Sequence, residues 1–578
     1  MVHISFLRMY TLHQVQRVTH EVKGFKNWKK VKSGNNCAFK THMGESGSAH
    51  QYSVKCFDSL KNRLCHIEPI IEKQTDEEVK ANRLHLRTSI DAKQILDLIA
   101  CNVQTAIRSE IGDAKFCMIV DESRDESRRE QMALVVRFVD KGGFIRERFL
   151  DLMHVQDTSS ATLKEELCSV LSNHKLDVKN IRGQGYDGAN NMRGEWDGLQ
   201  AKFVEECPYG YYIHCFAHQL QLALVAASKE VPEVHNFFEH LDLIVNTVVS
   251  STKRNDDLHA NQIAEMEHLI ELNELETGKG TNQIRTLQRP GETRWNSHYN
   301  SICNLIKLYK PTFLVLKDIA TAKGSGTTAS VRAKAAGVIK LMMSFDFVFI
   351  MHVMKELMGV TDLLCKKLQH KSQDLVNAMD DVVTTKRLIQ NLRDHEIIVP
   401  NMADFYADYI RSRAGDEITV EHHYRYDIFT VAVDQQAQEL NYRFSEQATE
   451  LLKLCTASDP KDAFSSLKID DVCSLASKFY PADFSEQEIC TLRLQLHHYE
   501  FDVPTNSKLI RLVLTLPVST AITERAFSTM KLVKTRLRNK MEYEFLRDCL
   551  ITYIEKEIAM GFTTDKLIDD FDAIRLTE

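Results

Sequence analysis

Apolar residues change their spacing along the chain at two places, near residue 114 and near residue 217. Residues 66–113 carry apolar side chains at helical spacing, so this stretch is predicted to be helical. Short β-rich runs follow, as far as about residue 216. From 217 to about 500 almost every segment again has a period near 3.6 residues, which predicts a large block of helices. The final stretch, 507–558, is an apolar run, a proline and further helices.

The short runs between 115 and 216 predict a mixed α/β core. The sequence Asp-Lys-Gly-Gly at 140–143 has the turn chemistry of a β-hairpin. A helix over 159–176 begins at a serine cap and separates this hairpin from the next strand. The predicted order is β, β, β, α, β, α, β, with an antiparallel start. The predicted strands lie in "KFCMIVDES" (115–123), "QMALVVRFVDKGGFIRERFLDLMHV" (131–155), "KNIRGQGYDGA" (179–189) and "YGYYIHCF" (209–216).

The composition is that of a soluble globular protein with more than one domain. The 578 residues exceed one ordinary core, and 43% of them are hydrophobic and 26% charged. A net charge of −7 argues against a uniformly basic nucleic-acid binder but leaves room for a local basic track. Fourteen cysteines without a CxxC pair indicate reduced thiols, as in the cytosol or nucleus. Because the N-terminus has no signal-peptide pattern and no apolar run reaches membrane-spanning length, an intracellular protein without a membrane partner is expected.

Two aspartates follow apolar strands and are the first candidates for chemistry. Asp121 comes directly after "FCMIV", and Asp187 follows "NIRGQGY", with Gly185 and Gly188 allowing close approach of the backbone. If the two strands belong to one sheet, the carboxylates lie side by side and repel each other, so a divalent cation is the natural partner. Carboxylate oxygens suit Mg²⁺ or Mn²⁺, and two such ions can activate water against a phosphodiester.

Simpler interpretations stay open for these residues. An aspartate at a strand end commonly caps a turn or a helix. A glycine-rich turn after a strand is also typical of phosphate-binding loops, but the sequence contains neither GxxxxGK[ST] nor GxGxxG. A third carboxylate, Glu524, stands near the start of a helix, where it would also favour the helix dipole. The basic residues after it would form either a solvated face or a phosphate track, and they are Lys531, Lys534, Arg536, Arg538 and Lys540.

Five motifs occur in an order that resembles one known family. They are "MIVDES…LVVRFVD", "GQGYDGANNMRG", "HCFAHQLQLAL", "GETRWNSHYNSI" and "LPVSTAITERAFSTMKLVKTRLRNKM". In this order they resemble the hAT superfamily of cut-and-paste DNA transposases. The subgroup is the one with a TTF-type or MYM-type zinc finger and a hAT C-terminal dimerisation region, and the resemblance extends from about residue 20 to the end.

The resemblance implies an α/β RNase H-like catalytic core interrupted by a large all-α insertion domain, in a mostly helical protein. Carried over motif by motif, the catalytic and metal-binding triad is Asp121, Asp187 and Glu524. The implied domains are a truncated TTF-type zinc-finger-like region (1–65), a helical linker (66–113), the first part of the core (114–216), the helical insertion (217–500) and the end of the core with the dimerisation region (501–578).

Two further motifs carry over from the family. Arg294 and Trp295 of "GETRWNS" match an Arg-Trp pair whose tryptophan is thought to stack on an extruded base, so both are expected to bind DNA. The alternative is a buried tryptophan that anchors the insertion. Cys215 and His218 of "HCFAHQL" match a CxxH motif, which fits either a zinc half-site or structural packing near the active site.

The N-terminal part departs from the family pattern. Residues 24–57 resemble the second half of a TTF-type zinc finger, with His42 and His50 at the positions of its two histidine ligands. The upstream cysteine pair is missing, so a closed Zn²⁺ site is not expected. The helical segment that precedes residue 114 is also shorter than in the family, which spares the triad but removes surface for packing or DNA contact.

Two functions are therefore expected. The first is a hAT-type transposase that cleaves and transfers DNA strands, and the second is an inactive, transposase-derived protein that binds DNA or chromatin as a dimer. Both imply a nuclear protein whose partners are DNA, namely terminal repeats and target DNA, and a second copy of itself. The apolar faces of "LIRLVLTLPV" and "FLRDCLITYIEKEI" are predicted to form the subunit contact. A phosphate-loop ATPase is a distant third, because the required lysine is absent.

Overall fold

The computed structural model describes most of the chain from residue 76 onwards. The described residues are 48, 51–52, 54–55, 76–194, 197–272, 283–291, 295–322, 328–394, 422–445, 450–456, 468–499 and 507–577. The chain divides into two units, Met1–Gln94 and Ile95–Glu578. The second unit contains the β-sheet and the three carboxylates predicted to act together.

A mixed sheet of five strands lies in the second unit. The strands are β1 (Phe116–Arg124), β2 (Glu130–Val139), β3 (Ile145–Val155), β4 (Ile181–Tyr186) and β5 (Tyr211–His214). Their order across the sheet is β3-β2-β1-β4-β5. Strand β2 pairs antiparallel with both β1 and β3, whereas β4 pairs parallel with both β1 and β5. The predicted succession of strands, the hairpin and the antiparallel start are confirmed.

The sequence explains why β1 takes the central position. Its first five residues, Phe116–Val120, are all apolar and all buried, which suits a strand covered on both faces. The turn between β2 and β3 closes because the Asp140 carboxylate accepts the backbone N–H of Phe144 at 3.0 Å. Gly143 takes a φ of +87° in this turn, a conformation that favours glycine.

The other regular elements in the described part of the chain are helical. Helix α1 (Asp76–Ile111) precedes the sheet, and α2 (Ser160–Asn173), α3 (Asn190–Arg193) and α4 (Leu199–Glu206) lie between strands. After β5 follow α5 (Phe216–Lys229), α6 (Pro232–Val249), α7 (Thr252–Glu271), α8 (Trp295–Lys307), α9 (Tyr309–Thr321), α10 (Ala329–Met342), α11 (Phe345–Leu368), α12 (Leu375–Asp394), a π-helical segment His423–Thr430, α13 (Val431–Ser445), α14 (Glu450–Thr456), α15 (Ile469–Phe479) and α16 (Glu486–Tyr499). The chain continues with α17 (Ser507–Thr515), α18 (Ala521–Val533), α19 (Tyr543–Ile554), α20 (Lys556–Ala559) and α21 (Thr564–Thr577).

Buried ion pairs and hydrogen bonds join the sheet to segments that lie far away in sequence. Arg182 of β4 binds both carboxylate oxygens of Asp483, at 2.5 and 2.8 Å, and both side chains are buried. Arg137 of β2 donates to the carbonyls of Gln373 and Leu514, at 2.6 and 3.2 Å. Charged groups therefore hold the helical segments and the C-terminal segment against the sheet at defined points.

Membrane-spanning character was also considered for the described helices. None of them alone combines the length and apolar character that a membrane crossing requires. Helices α10 and α11 meet these requirements only as a pair, and they are bent by 63° relative to each other.

The Arg182–Asp483 pair provides a test of this architecture. Asp483→Asn leaves the Arg182 guanidinium buried without its anionic partner, so we expect the free energy of unfolding to fall by about 3–5 kcal/mol. Urea denaturation monitored by circular dichroism measures the change. The matched control is Asp470→Asn, which removes the exposed Arg493–Asp470 pair and is expected to cost less than about 1 kcal/mol. Equal losses in the two variants would contradict the assignment.

Candidate active site

Two neighbouring parallel strands bring Asp121 and Asp187 together. The pairing of β1 with β4 includes Ile119 opposite Gly185, and each aspartate stands two residues further along its strand. Side chains two residues apart point to the same face of a sheet, so the two carboxylates lie side by side on one face. Strand β1 continues past Asp121 in its pairing with β2, as far as Arg124. Asp121 therefore lies where the pairing with β4 ends, inside β1, rather than after it as predicted.

Helix α18 brings the third carboxylate to the same face. Thr523, in the first turn of this helix, donates its hydroxyl to Asp121, with Oγ1 and Oδ2 3.2 Å apart. Glu524 follows directly, also in the first turn. The second Asp121 oxygen accepts the backbone N–H of Glu122 at 2.9 Å. Contact between α18 and Asp121 therefore brings a residue adjacent to Glu524 to the carboxylate of β1.

The close approach of the chain before α18 explains the glycines of β4. A Cβ atom on Gly183 would lie 2.3 Å from Cys117 Sγ and 3.1 Å from Pro517 Cδ. A Cβ atom on Gly185 would lie 3.0 Å from Pro517 Cβ. Leu516 and Pro517 thus pack directly on a strand that lacks side chains at these positions. The sequence analysis attributed the nearby glycines to approach of metal and DNA, whereas Gly183 and Gly185 accommodate the protein's own chain.

Cys215 joins helix α5 to the start of α18. Its Sγ accepts the backbone N–H and the hydroxyl of Thr520, at 3.3 and 3.4 Å, and the N–H of His218 at 3.4 Å. Phe216 N–H donates to the Val518 carbonyl at 3.0 Å. Burial raises the pKa of the Cys215 thiol to about 11, despite the hydrogen bonds from Thr520, so the sulfur is protonated near neutral pH. These contacts favour the structural interpretation of the CxxH motif.

The histidines near Asp187 are neutral at physiological pH. Burial, followed by the nearby charges of His218 and Arg193, lowers the pKa of His214 to about 4. Burial also lowers the pKa of His218, although the charge of Asp187 opposes this shift. Gly188 takes a φ of +96°, and a Cβ atom there would lie 2.4 Å from His214 Nε2. The glycine after Asp187 therefore makes room for the imidazole ring.

The three carboxylates influence one another electrostatically. The pKa of Asp121 is raised from 3.8 to about 7, mainly because the side chain is buried and then because of the negative charge of Asp187. Glu524 adds to the increase, whereas the hydrogen bonds from Glu122 and Thr523 oppose it. A carboxyl held in this way is costly to ionise, so the arrangement favours a bound cation.

A polar cavity of about 330 Å³ adjoins Glu524. It is lined by Ala521, Glu524, Arg525 and Ser528 of α18, Ser297 and Asn300 of α8, and Gln221, Gln288 and Gln369. Trp295 is the first residue of α8, but its side chain is outside the described part of the structure, as is Arg294. The positions predicted as residual zinc ligands, His42 and His50, also lie outside the described residues.

The predicted phosphate track divides into exposed and buried residues. Lys531, Arg536 and Arg538 are exposed at and beyond the end of α18. Lys534 is only 2% exposed and its Nζ lies 2.7 Å from Asp125 Oδ2. The prediction that Lys534 contacts DNA is therefore wrong, because its ammonium group is already bound inside the protein. Asp125 and Thr523 are residues that the sequence analysis missed, since their partners lie more than 400 positions away.

The apolar faces near the C-terminus are used within the chain. Helix α17 buries Leu509, Leu512 and Val513 and packs against β2 and β4, and α19 buries Leu546 and Leu550 against β3 and α18. The prediction that these faces form the subunit contact is therefore wrong. The apolar side chains that remain exposed around these helices are Ile510, Leu532, Leu537, Tyr553, Met560 and Ile568.

Comparison with family models identifies two regions of the chain. Residues 19–96 and 92–198 match the model described as "ZMYM1/FAM200, RNase-like domain". Residues 496–558 match the "hAT family C-terminal dimerisation region". These matches confirm the predicted resemblance to hAT-type proteins, and the dimerisation region supports self-association.

Curated relatives match over a longer stretch. The protein named "52 kDa repressor of the inhibitor of the protein kinase" from Homo sapiens is 21% identical over 496 residues, which cover 78% of this chain and 63% of the relative. The protein of the same name from Mus musculus is 20% identical over 506 residues, with the same coverage of both chains. The chain thus spans somewhat less than two thirds of these relatives.

The glycine contacts of β4 can be tested by a pair of alanine substitutions. Gly183→Ala forces a methyl group against Cys117 and Pro517, and we expect the free energy of unfolding to fall by about 1–3 kcal/mol. Gly337→Ala is the control, because a Cβ atom there, within helix α10, meets nothing within 4 Å. This change is expected to stabilise the protein by about 0.5–1 kcal/mol. Urea denaturation measures both, and a neutral Gly183→Ala would refute the tight packing.

Two aspartates of β1 are expected to respond to amidation with opposite signs. Asp121→Asn removes a carboxyl whose folded pKa is about 7, so in EDTA the folded protein should gain stability increasingly as pH rises from 3.8 to about 7. At pH 8 the gain should be on the order of 1–3 kcal/mol. Burial opposes ionisation of Asp125, but hydrogen bonds from Lys534 and the N–H of Arg129 outweigh it and lower its pKa.

The stabilisation by Asp125 is therefore full above about pH 4, the usual aspartate pKa, and is lost as pH falls through the lower folded pKa. Asp125→Asn should cost about 3–5 kcal/mol at pH 8, because Lys534 remains buried without its partner. Urea denaturation between pH 3.5 and 8 compares the two variants. Losses of the same sign at pH 8 would contradict the electrostatic description.

Proposed function

We propose that this chain is a hAT-type, transposase-derived protein that cleaves and joins DNA strands with divalent metal ions held by Asp121, Asp187 and Glu524. The observation that carries this proposal is the mutual influence of the three carboxylates, seen in the raised pKa of Asp121. Three acidic groups brought together from 402 positions apart in sequence, on one face of a sheet, have no evident structural benefit. The proposal explains why the fold accepts their repulsion.

The donor set suits Mg²⁺ or Mn²⁺. Asp121 and Asp187 offer hard carboxylate oxygens on adjacent strands, and these two ions prefer such ligands. Among the described residues no three acidic, histidine or cysteine side chains are close enough to hold one ion together. Mg²⁺ commonly binds through one or two carboxylates together with substrate phosphates, so the two aspartates fit a site that DNA completes. When bound, the metals would supply an activated water or 3′-hydroxyl and stabilise the leaving oxygen.

The residues around the carboxylates have supporting roles in this proposal. Thr523 orients Asp121 through its hydroxyl, and Cys215 fixes the residue that precedes α18. Arg294 and Trp295 would hold the DNA strand next to the cavity beside Glu524, with the tryptophan stacking on an extruded base. The exposed side chains of Lys531, Arg536 and Arg538 would bind phosphates, whereas Lys534 would not.

The same proposal gives the chain its domain organisation. Residues 114–216 and 501–578 would form one RNase H-like core, and residues 217–500 the helical insertion between its parts. Residues 66–113 would link this core to a truncated zinc-finger-like region, 1–65. Support comes from the match of residues 19–198 to an RNase-like domain and from the packing of α17 and α18 against the strands.

A second function is favoured by the names of the curated relatives. Both are called repressors, which fits a protein that binds DNA in the nucleus as a dimer without cutting it. The dimerisation region serves either function. The two functions differ only in the chemistry of the carboxylates.

A nicking assay separates them. The full chain is incubated with supercoiled plasmid and Mg²⁺ or Mn²⁺, and conversion to the open-circular form is followed on a gel. Asp187→Asn and Glu524→Gln should each lower the rate at least about 100-fold, because each metal contributes several kcal/mol to catalysis. Asp470→Asn, on the exposed surface of α15, should leave it unchanged. DNA binding without nicking by the unmodified chain would support the repressor-like function instead.

A further inference from the structure

The turn that follows α18 exposes a leucine among cations. Leu537 is 97% exposed, and Leu532, on the last turn of α18, is 71% exposed. Residues 531–540 contain five lysine and arginine residues and no acidic residue. Four of these cations are exposed and make no ion pair with any residue that the structure describes: Lys531, Arg536, Arg538 and Lys540. Leu537 lies between two of them in a short 3-10 turn, Arg536–Arg538.

The turn is fixed at both of its ends. Before it, Lys534 forms its buried ion pair with Asp125. After it, the carbonyl of Asn539 accepts the hydroxyl of Ser127 at 2.5 Å. Both partners belong to the short connection between β1 and β2. The exposure of Leu537 is therefore not that of a frayed end, because the backbone around it is attached to the central strand of the sheet.

We propose that the turn at 536–538 binds duplex DNA beside the carboxylates, with Leu537 inserted between base pairs and the flanking arginines on the phosphates. An apolar side chain that enters a base step kinks the duplex, and neighbouring cations offset the cost through the backbone phosphates. The proposal rests on the proposed function, since it takes DNA as the partner of this surface. It adds that the DNA is bent when bound.

The distance from the carboxylates fits a single duplex. From Glu524 to Val533 helix α18 rises by about 14 Å, at 1.5 Å per residue. Duplex DNA rises by about 3.4 Å per base pair, so Leu537 would act on the order of four or five base pairs from the carboxylates. Asp125, which anchors the turn, lies four residues beyond Asp121 on the extended β1, which gives about the same distance.

Charge argues for DNA rather than a second copy of the chain. In a symmetric dimer the same patch of each subunit meets its counterpart. Four exposed cations on each side would then repel one another, and like charges that face each other across an interface cost several kcal/mol. A polyanion offers the complementary charge.

The experiment measures binding and bending with the full chain. An 18-base-pair duplex of mixed sequence carries a donor and an acceptor dye at its two ends. Anisotropy gives the affinity, and energy transfer at saturation reports the end-to-end distance. The unmodified chain should increase energy transfer. Leu537→Ala should lose this increase while its affinity changes by less than about threefold, because unstacking consumes most of the energy that the insertion provides.

Three further variants complete the test. Leu537→Met should retain the bend, since methionine also serves as a wedge, and Leu494→Ala, which removes another leucine that is 65% exposed, should match the unmodified chain. Replacing Arg536 and Arg538 together by alanine should weaken binding and reduce the salt dependence of log affinity by about 1.8, or 0.9 per phosphate contact.

Other outcomes would overturn the proposal in distinguishable ways. Binding and metal-dependent nicking by the unmodified chain without a change in energy transfer would refute the wedge and leave the proposed function standing. Absence of duplex binding would remove both. Loss of self-association by Leu537→Ala, measured by analytical ultracentrifugation, would assign the leucine to the subunit contact instead.

Discussion

The packing of residues 516–520 against strand β4 determines where helix α18 begins, and through it the position of Glu524. Pro517 can lie on the strand only because Gly183 and Gly185 have no side chains. Thr520 is then fixed by the sulfur of Cys215. A site composed of three distant segments depends on this contact, because displacements near 1 Å are enough to disable such chemistry.

The sequence predicts the features that depend on neighbours in the chain. The hairpin, the strand succession and the adjacency of Asp121 and Asp187 follow from turn residues and from parallel strands that share a sheet. Periodicity shows that α17 and α19 have apolar faces but not what covers them, and both are covered by the chain itself. The partner of Lys534 was equally hidden, since Asp125 is 409 positions away. Glu524 was selected by resemblance, because its pattern alone is that of a helix start.

Buried carboxylates of the second unit are compensated in two different ways. Asp125, Asp483 and Glu555 each face a basic side chain from another part of the chain. Such pairs define how segments dock, whatever their net contribution to stability. Asp121 instead faces the negative charges of Asp187 and Glu524. The fold thus reserves one acidic cluster whose compensation has to come from outside the polypeptide, and this separates a functional site from structural ion pairs.

The separation of Thr523 from Asp121 by 402 positions has a consequence for synthesis of the protein. At about 5–20 residues per second, a ribosome needs on the order of a minute to add α18 after β1 has emerged. Throughout this interval the face of β1 and β4 that receives Pro517 lacks its final cover, and the acidic cluster is incomplete. A nascent chain is therefore a poor nuclease and a good client for chaperones, and any message truncated before α18 encodes only the latter.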